Sequence, residues 1–389
     1  DDALQALVLA INVALGATSK IIKALPKTDL VELGLLADLN KDLEAKKIKT
    51  LVWLSPANPF YDAPSDYKFE QLVQSLDTFI HFGERATPIS KSATWHIPAA
   101  HYLESWGDVN DVEGKTLLIQ PLILPLYSGI SELELLLCLN NQILATANDT
   151  GSIASPAYEF VKQTAGVTEA KWRNALKRGF VADKVELVEL TTSLEQLAKI
   201  VKKGLGELVS QTAPTEQSVE VVFKADSSVW DGRYINNAWL QEAPDPIVKL
   251  TWDNAAWISP KTAQALGVYD KEIGLIGINP IFNKPNSAIS DAKDKEGPNR
   301  TAPVIKLSVN GAELEIPVII AFGQAENVLT LPVGYGQFFD KHRKSGFKKG
   351  FDASKHAQGS SHRESYVGVN TGFNVYSLRT ADALYYATG

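Results

Sequence analysis

The chain predicts an α/β fold: a Rossmann-like parallel α/β layer over residues 1–212, followed by a β-barrel domain over residues 213–389. Three observations carry this reading. Apolar strand-like runs alternate with helix-period runs through the first quarter of the chain. From Val219 onward, short apolar runs recur between Gly, Pro, Asn and Asp. Between the two lies SQTAPTEQS (210–218), a polar stretch of linker composition. At 389 residues the chain also exceeds one ordinary core, which favours two domains.

The elements follow in order. ALQALVLAINVAL (3–15) reads as a helix stopped by Gly16. DLVELGLLADLNKDLEAKK (29–47) reads as a second helix, and KTLVWLSP (49–56) as a buried strand. The strand runs into SPANPFYDAPSD (55–66), a Pro-, Asn- and Asp-rich turn. A helix, YKFEQLVQSL (67–76), and a strand, DTFIHFGE (77–84), come next. In parallel sheets ligands bind beyond the carboxyl ends of strands, which places Ala57, Asn58, Pro59 and the HFGE end on the functional rim. SELELLLCLN (131–140) reads as a helix burying Cys138, and residues 155–210 as Lys- and Glu-rich helix. SVEVVFKA, PIVKLTW, KEIGLIGI, APVIKLSV, ELEIPVIIAF and NVLTLPVGY read as the barrel strands. SPKTAQALGV is a helical insert with Ser259 as N-cap, Pro260 in the first turn and Gly267 as its stop. The polar stretches 284–300 and 352–365 read as surface loops.

Composition excludes several function classes. Hydrophobic residues make up 45% and charged residues 21%, the balance of a globular protein. A net charge of −7 argues against nucleic-acid binding, which needs a basic face. The longest apolar run, KTLLIQPLILPLY, is broken by Pro121 and Pro125 and is too short to insert in a membrane. One cysteine rules out a disulfide framework or a cysteine-ligated iron–sulfur cluster within these residues. Methionine is absent, an abnormal composition over such a length.

ATWHIPAAHYLESWGD (93–108) holds the densest polar chemistry: His96, His101, Glu104 and Asp108. A zinc site of the His-Glu-x-x-His type needs its ligands on one helical face. Here the histidines are five residues apart with Pro98 between them, so a hydrogen-bonded polar loop is favoured over a metal site. No G-x-S-x-G elbow, Walker loop or G-x-G-x-x-G fingerprint occurs. Trp230, Trp239, Trp252 and Trp257 read as core residues in preference to a pocket-covering face.

LESWGDVNDVEGKTLLIQPLILP resembles a signature of the molybdopterin oxidoreductase superfamily, with Glu104, Gly107, Glu113, Gly114, Gln120 and Pro125 at matching positions. Asp108, Asp111 and Lys115 stand where Thr, Asn and Arg are usual. KTLVWLSPANPFYDAPSD is similar to the strand and Gly-x-Asn-Pro turn of the same family, with Asn58 and Pro59 retained and Pro56 or Ala57 in place of the glycine. WHIPAAHYLESWGD, QPLILPLYSG, DGRYINNAWLQEAPDPIVKLTWDNAAWISPKTAQALGV and GFNVYSLRTADALYYATG more narrowly resemble the large iron–sulfur subunit of alternative complex III, a bacterial quinol-oxidising respiratory assembly. This second resemblance runs through nearly the whole chain.

The resemblance implies that 213–389 is a double-psi β-barrel. It implies a vestigial cofactor pocket lined by Asn58, Pro59, His96, Glu104, Gly107, Asp108, Glu113, Gly114, Lys115 and Gln120, with no catalytic residue and no metal ligand. The family uses molybdopterin guanine dinucleotide, with iron–sulfur clusters in a ferredoxin-like region outside these residues; no cofactor is expected in this segment. Acidic groups at 108 and 111 oppose dinucleotide phosphates, and Lys115 lacks the fork of arginine. The implied partners are other subunits of a membrane-associated respiratory complex, on the periplasmic face of the bacterial inner membrane. Three functions follow: a scaffold module of that complex, an active molybdopterin oxidoreductase acting on a small anion or polysulfide, or a free-standing pterin- or nucleotide-binding module.

Overall fold

A computed structural model describes residues 2–20, 34–54, 56–85, 87–111, 115–140, 155–181, 193–209, 213–270, 274–275, 303–337 and 371–381. The fold is mixed α/β, as expected from the alternation of runs. Helix α1 (Asp2–Ala14) ends at Gly16, φ 67°, the left-handed stop that glycine adopts without strain. After α2 (Ala17–Lys20), helix α3 (Leu36–Glu44) begins well inside the expected 29–47 segment, whose residues up to 33 lie outside the described ones. Leu43 from α3 enters the first core.

Strand β1 (Thr50–Trp53) forms where the continuous apolar run is, although it is half-buried where full burial was expected. Short helices α4 (Pro59–Asp62) and α5 (Phe69–Val73) carry the chain over to β2 (Thr78–Gly83). Helix α6 (Pro88–Ser92) then leads to β3 (Trp95–Pro98). The three strands pair in parallel in the order β1-β2-β3, with Trp53 beside His81 and His81 beside His96. Phe69, Val73, Phe79 and Ile89 join Leu43 to close this layer's core. Burying each such side chain contributes roughly 1.5–3 kcal/mol, which makes the layer cohesive despite short strands.

β3 was not anticipated: the WHIP residues were read as part of a polar loop. Parallel pairing with β2, distant in sequence, overrides the weak local signal of a four-residue strand ending in Pro98.

Beyond the layer, β4 (Gly107–Asn110) and β5 (Thr116–Ile119) form an antiparallel hairpin. Leu118 packs inward beside the fully buried Trp172, whereas Val109 and Ile119 face outward. Helix α7 (Glu132–Leu139) starts at a Ser131 cap, whose Oγ accepts the Glu134 N–H at 3.2 Å. Cys138 on α7 is half-buried, less enclosed than the buried thiol expected. Helices α8 (Pro156–Ala165), α9 (Glu169–Arg178) and α10 (Leu194–Val209) account for the described part of the Lys- and Glu-rich region. α10 lies along α1, with Gly204 against Ala3 leaving no room for a side chain.

The second sheet contains β6 (Glu220–Lys224), β7 (Ala256–Ile258), β10 (Val304–Val309), β11 (Ala312–Ile320) and β12 (Val328–Pro332) in the order β10-β11-β7-β12-β6. β10 and β11 turn back on each other through Asn310 and Gly311, φ 48° and 83°, the left-handed pair that a two-residue hairpin requires. β11 runs parallel to β7, and β12 parallel to β6. The two parallel pairs meet antiparallel where Thr330 faces Trp257. Ile258, Ile316, Leu329, Leu331, Val375 and Leu378 are fully buried in its core. Between the sheet strands sit α11 (Ala238–Glu242) and α12 (Pro260–Ala265), the latter capped by Ser259 as expected. The minor strands β8 (Tyr269–Asp270) and β9 (Gly274–Leu275) pair antiparallel, and β9 is all that is described of KEIGLIGI.

PIVKLTW, expected as a strand, is not one. Asp245 Oδ1 accepts the N–H groups of Ile247 and Val248 at 2.8 Å each, and Lys249 turns left-handed at φ 63°. A buried carboxylate satisfying two backbone donors outcompetes a ladder for those residues. The tryptophans divide. Trp257 is core and Trp252 half-buried, but Trp230 and Trp239 are 55% and 84% exposed, so the core reading fails for these two.

The segment following β1 belongs as much to the second sheet as to the first. Tyr61 is buried in the second sheet's core, donates its hydroxyl to the Tyr335 carbonyl and meets Tyr376 edge-on at 4.9 Å. The Ser65 N–H donates to the Arg379 carbonyl at 2.9 Å, and the Ala381 N–H to Asp66 Oδ1 at 3.0 Å.

Candidate functional site

The described residues form a cleft at the carboxyl end of β1 and β2, as the rule for parallel sheets places it. Its empty space, mouth included, is about 530 Å³. One wall is the turn Pro56, Ala57, Asn58 with Tyr61 and Asp62 of α4; the loop after β2 adds Arg85 and Thr87. The facing wall is the loop Asp231–Asn236 after β6, with Gln337.

Local chemistry fixes each wall. Asn58 caps α4, its Oδ1 accepting the Phe60 N–H at 3.2 Å, while Pro59 occupies the first turn. Trp53 Nε1 donates to the Ala57 carbonyl at 3.0 Å, tying the turn back to β1. Opposite, Gly232 adopts φ 101° and lies too close to Gly334 and Gln337 for any side chain. Gln337 Nε2 donates to the Gly232 carbonyl at 3.0 Å. Arg233 grips Asp231 through two nitrogens, Nη2 to Oδ2 at 2.7 Å and Nε to Oδ1 at 3.0 Å. Burial pushes the Asp62 carboxyl up to about 7; the like charge of Asp231 adds to this and Arg379 opposes it.

A second constellation lies on the sheet itself. His81 and His96 are cross-strand neighbours with Nδ1 atoms 2.9 Å apart and rings nearly parallel. One Nδ1 donates and the other accepts, so the pair requires neutral imidazole on at least one side. His81 is 4% exposed, and its burial, with His96 adding, pulls its titration down to about 4. His96 is also lowered, by burial.

Of the ten residues expected to line a pocket, Asn58 lines the cleft and Pro59 follows it. The other described ones serve other structure. His96 pairs with His81. Glu104 Oε2 accepts the His101 N–H at 3.0 Å and its Oε1 accepts the Leu126 N–H at 3.1 Å, which holds its carboxyl below the usual range. Gly107 and Asp108 belong to β4, and Asp108 is exposed. The Lys115 N–H donates to Asp111 Oδ1 at 2.8 Å, closing the hairpin; Glu113 and Gly114 lie outside the described residues. Gln120 Nε2 donates to the Leu176 carbonyl at 2.9 Å. Sequence reading missed Asp62, Arg85, Thr87, Asp231, Arg233 and Gln337. The available signals were YDAPSD directly after the Asn-Pro turn and DGRY, where a glycine sits between an acid and an arginine.

Glu104 bridges two segments, so Glu104→Ala should free the Leu122–Tyr127 loop and lower the thermal midpoint, at a cost of ~1 kcal/mol. An unchanged midpoint in a thermal melt would contradict that bridging role.

Among the described residues no three His, Cys, Asp or Glu side chains converge as a metal would require, and no helix is long and apolar enough to cross a membrane. No family model matches this chain, and no curated protein matches it. A solved structure does: acetylene hydratase from Pelobacter acetylenicus, at 16% identity and a TM-score of 0.51. The match covers 88% of this chain and 42% of the enzyme, so the chain spans less than half the enzyme's length. At that identity the likeness concerns the fold. Over the matched part, the fold of this chain is similar to that of acetylene hydratase.

Proposed function

We propose that this chain is a scaffold module of a molybdopterin-oxidoreductase-like subunit in a membrane-associated, quinol-oxidising respiratory complex, with a vestigial cofactor pocket. The carrying observation is the charge pattern of the cleft. Asp231 stands close enough to Asp62 to oppose its ionisation, and Arg233 is already committed to Asp231. These residues do not fit a bis-pterin guanine dinucleotide, whose phosphates need forked cations and backbone N–H donors. Pro56 or Ala57 also stands where the family's turn has a glycine, which opposes near approach of the backbone. The β6–β12 and β7–β11 parallel pairs, joined antiparallel at their centre, support the double-psi reading of the second sheet. Exposed Leu122, Leu126 and Tyr127 in QPLILPLY, the last 88% exposed, support a contact with another subunit.

The rival reading, an active oxidoreductase on a small anion or polysulfide, draws on Asp62, whose carboxyl near neutrality is a proton donor. Metal and pterin analysis of the full-length protein from its native host separates the two. The scaffold reading expects neither; molybdenum or tungsten at one atom per chain overturns it.

The same reading divides the chain at residues 212 and 213. Limited proteolysis should cut first within 210–218 or in the polar stretches 284–300 and 352–365. Preferred cuts within KTLLIQP would show that the division is wrong.

A further inference from the structure

We propose that the cleft is proton-gated: release of the Asp62 proton drives the 231–236 loop away from α4. This stands apart from the scaffold role and does not depend on it.

Asp62 and Asp231 line opposite walls of the cleft. Arg233 holds Asp231 in a two-pronged pair. Asp62 makes no ion pair among the described residues and is held by the backbone N–H of Asn58. The two walls are not equally firm. Tyr61, beside Asp62, is buried in the second sheet's core and donates to the Tyr335 carbonyl, so α4 is fixed. The facing loop is strained. Asp231 lies between Trp230, φ 60°, and Gly232, φ 101°, both in the left-handed region. A large aromatic stays there only where its surroundings enforce it. Two side chains distant in sequence tie the loop down. Gln337 Nε2 donates to the Gly232 carbonyl at 3.0 Å. The Tyr376 hydroxyl reaches the Asp231 carbonyl at 3.4 Å, longer than a good bond of that type. A strained and weakly tied loop is the wall that yields.

The neighbouring charges set the direction of movement. Facing Asp62 are Asp231 and Arg233 from the loop, Arg379 and the Tyr376 ring from the 375–379 segment, and Tyr61 from α4 itself. Arg85 lines the same cleft. Burial pushes both tyrosine hydroxyls up, so neither loses its proton near neutrality. An ionised Asp62 finds no idle cation close by. Arg233 is committed to Asp231, and Arg379 lies over the Tyr376 ring, 5.0 Å from its centroid. The new charge therefore meets poor hydration and the like charge of Asp231. Parting the walls relieves both, because it admits water and lengthens the distance to Asp231. With burial as the first cause and Asp231 as the second, the Asp62 carboxyl titrates at about 7. The gate is thus shut below neutrality and open above it.

Double electron–electron resonance on the full chain tests this. Spin labels go on Pro56→Cys and Tyr234→Cys, exposed positions on opposite walls, in a Cys138→Ser background. Between about pH 6 and about pH 8 the label-to-label distance should shift longer, and it should stay fixed in Asp62→Asn. Asp62→Ser provides the same comparison with a smaller side chain. Asp253, whose buried carboxyl titrates at about 6, is intact in both variants and so cannot imitate the result. An unchanged or shorter distance at the higher pH, or the same lengthening in the Asp62 variants, overturns the proposal.

Discussion

Asp62→Asn is expected to stabilise the protein at neutral pH by up to about 4 kcal/mol. The carboxyl titrates near 7 in the folded chain against 3.8 unfolded, so the folded state holds its proton more tightly. Stability supplied by that proton is full below 3.8 and is lost as pH rises to about 7. At neutrality the ionised, half-buried carboxylate beside Asp231 is a burden that asparagine lacks, while the amide matches the carboxyl in shape. Chemical denaturation of both proteins at pH 7.5 and at pH 4 provides the measurement. The gain should be large at the first and all but vanish at the second. A variant no more stable than the native chain at neutrality would show that Asp62 is solvated in solution.

The opposite slope should come from His81. Its folded titration point is about 4 against 6.5 unfolded, so here the unfolded chain binds the proton more readily. The stability contributed by keeping His81 neutral is complete above 6.5 and is lost as pH falls toward 4, about 3 kcal/mol in all. Asp62 gains over part of the same window, so the native chain should show a muted profile. In the Asp62→Asn background the His81 slope is uncovered, and stability should fall steeply on acidification. Adding His81→Gln should flatten it. If the slope survives that second substitution, another group is responsible.

The two titrating sites were illegible in the sequence for the same reason. Asp62 matters through Asp231, and His81 through His96, and neither partner is local. What local chemistry decides was readable. β2, β11 and β12 formed where apolar β-rich runs were, and Ser259 capped the helix it precedes. The rim position of Asn58 followed from strand direction alone. Pattern failed where a side chain competes with the ladder, as Asp245 does in PIVKLTW, and where a strand is too short to announce itself, as with WHIP. The polar stretch 93–108 attracted attention for its composition, yet its acids and histidines mainly fasten backbone, while the cleft drew its polar groups from plainer neighbourhoods.

The fastening of Tyr61, Ser65 and Asp66 to Tyr335, Arg379 and Ala381 has a consequence for how the protein is made. A span of 315 residues separates Asp66 from Ala381, so at ~5–20 residues per second the ribosome delivers the second half of this contact about 15–60 s after the first. During that interval Tyr61, buried in the finished protein, has no core to enter. The nascent parallel layer must wait with an aromatic side chain uncovered, and the cleft above it cannot take shape. Completion of the cleft thus marks chains that were translated past Gln337.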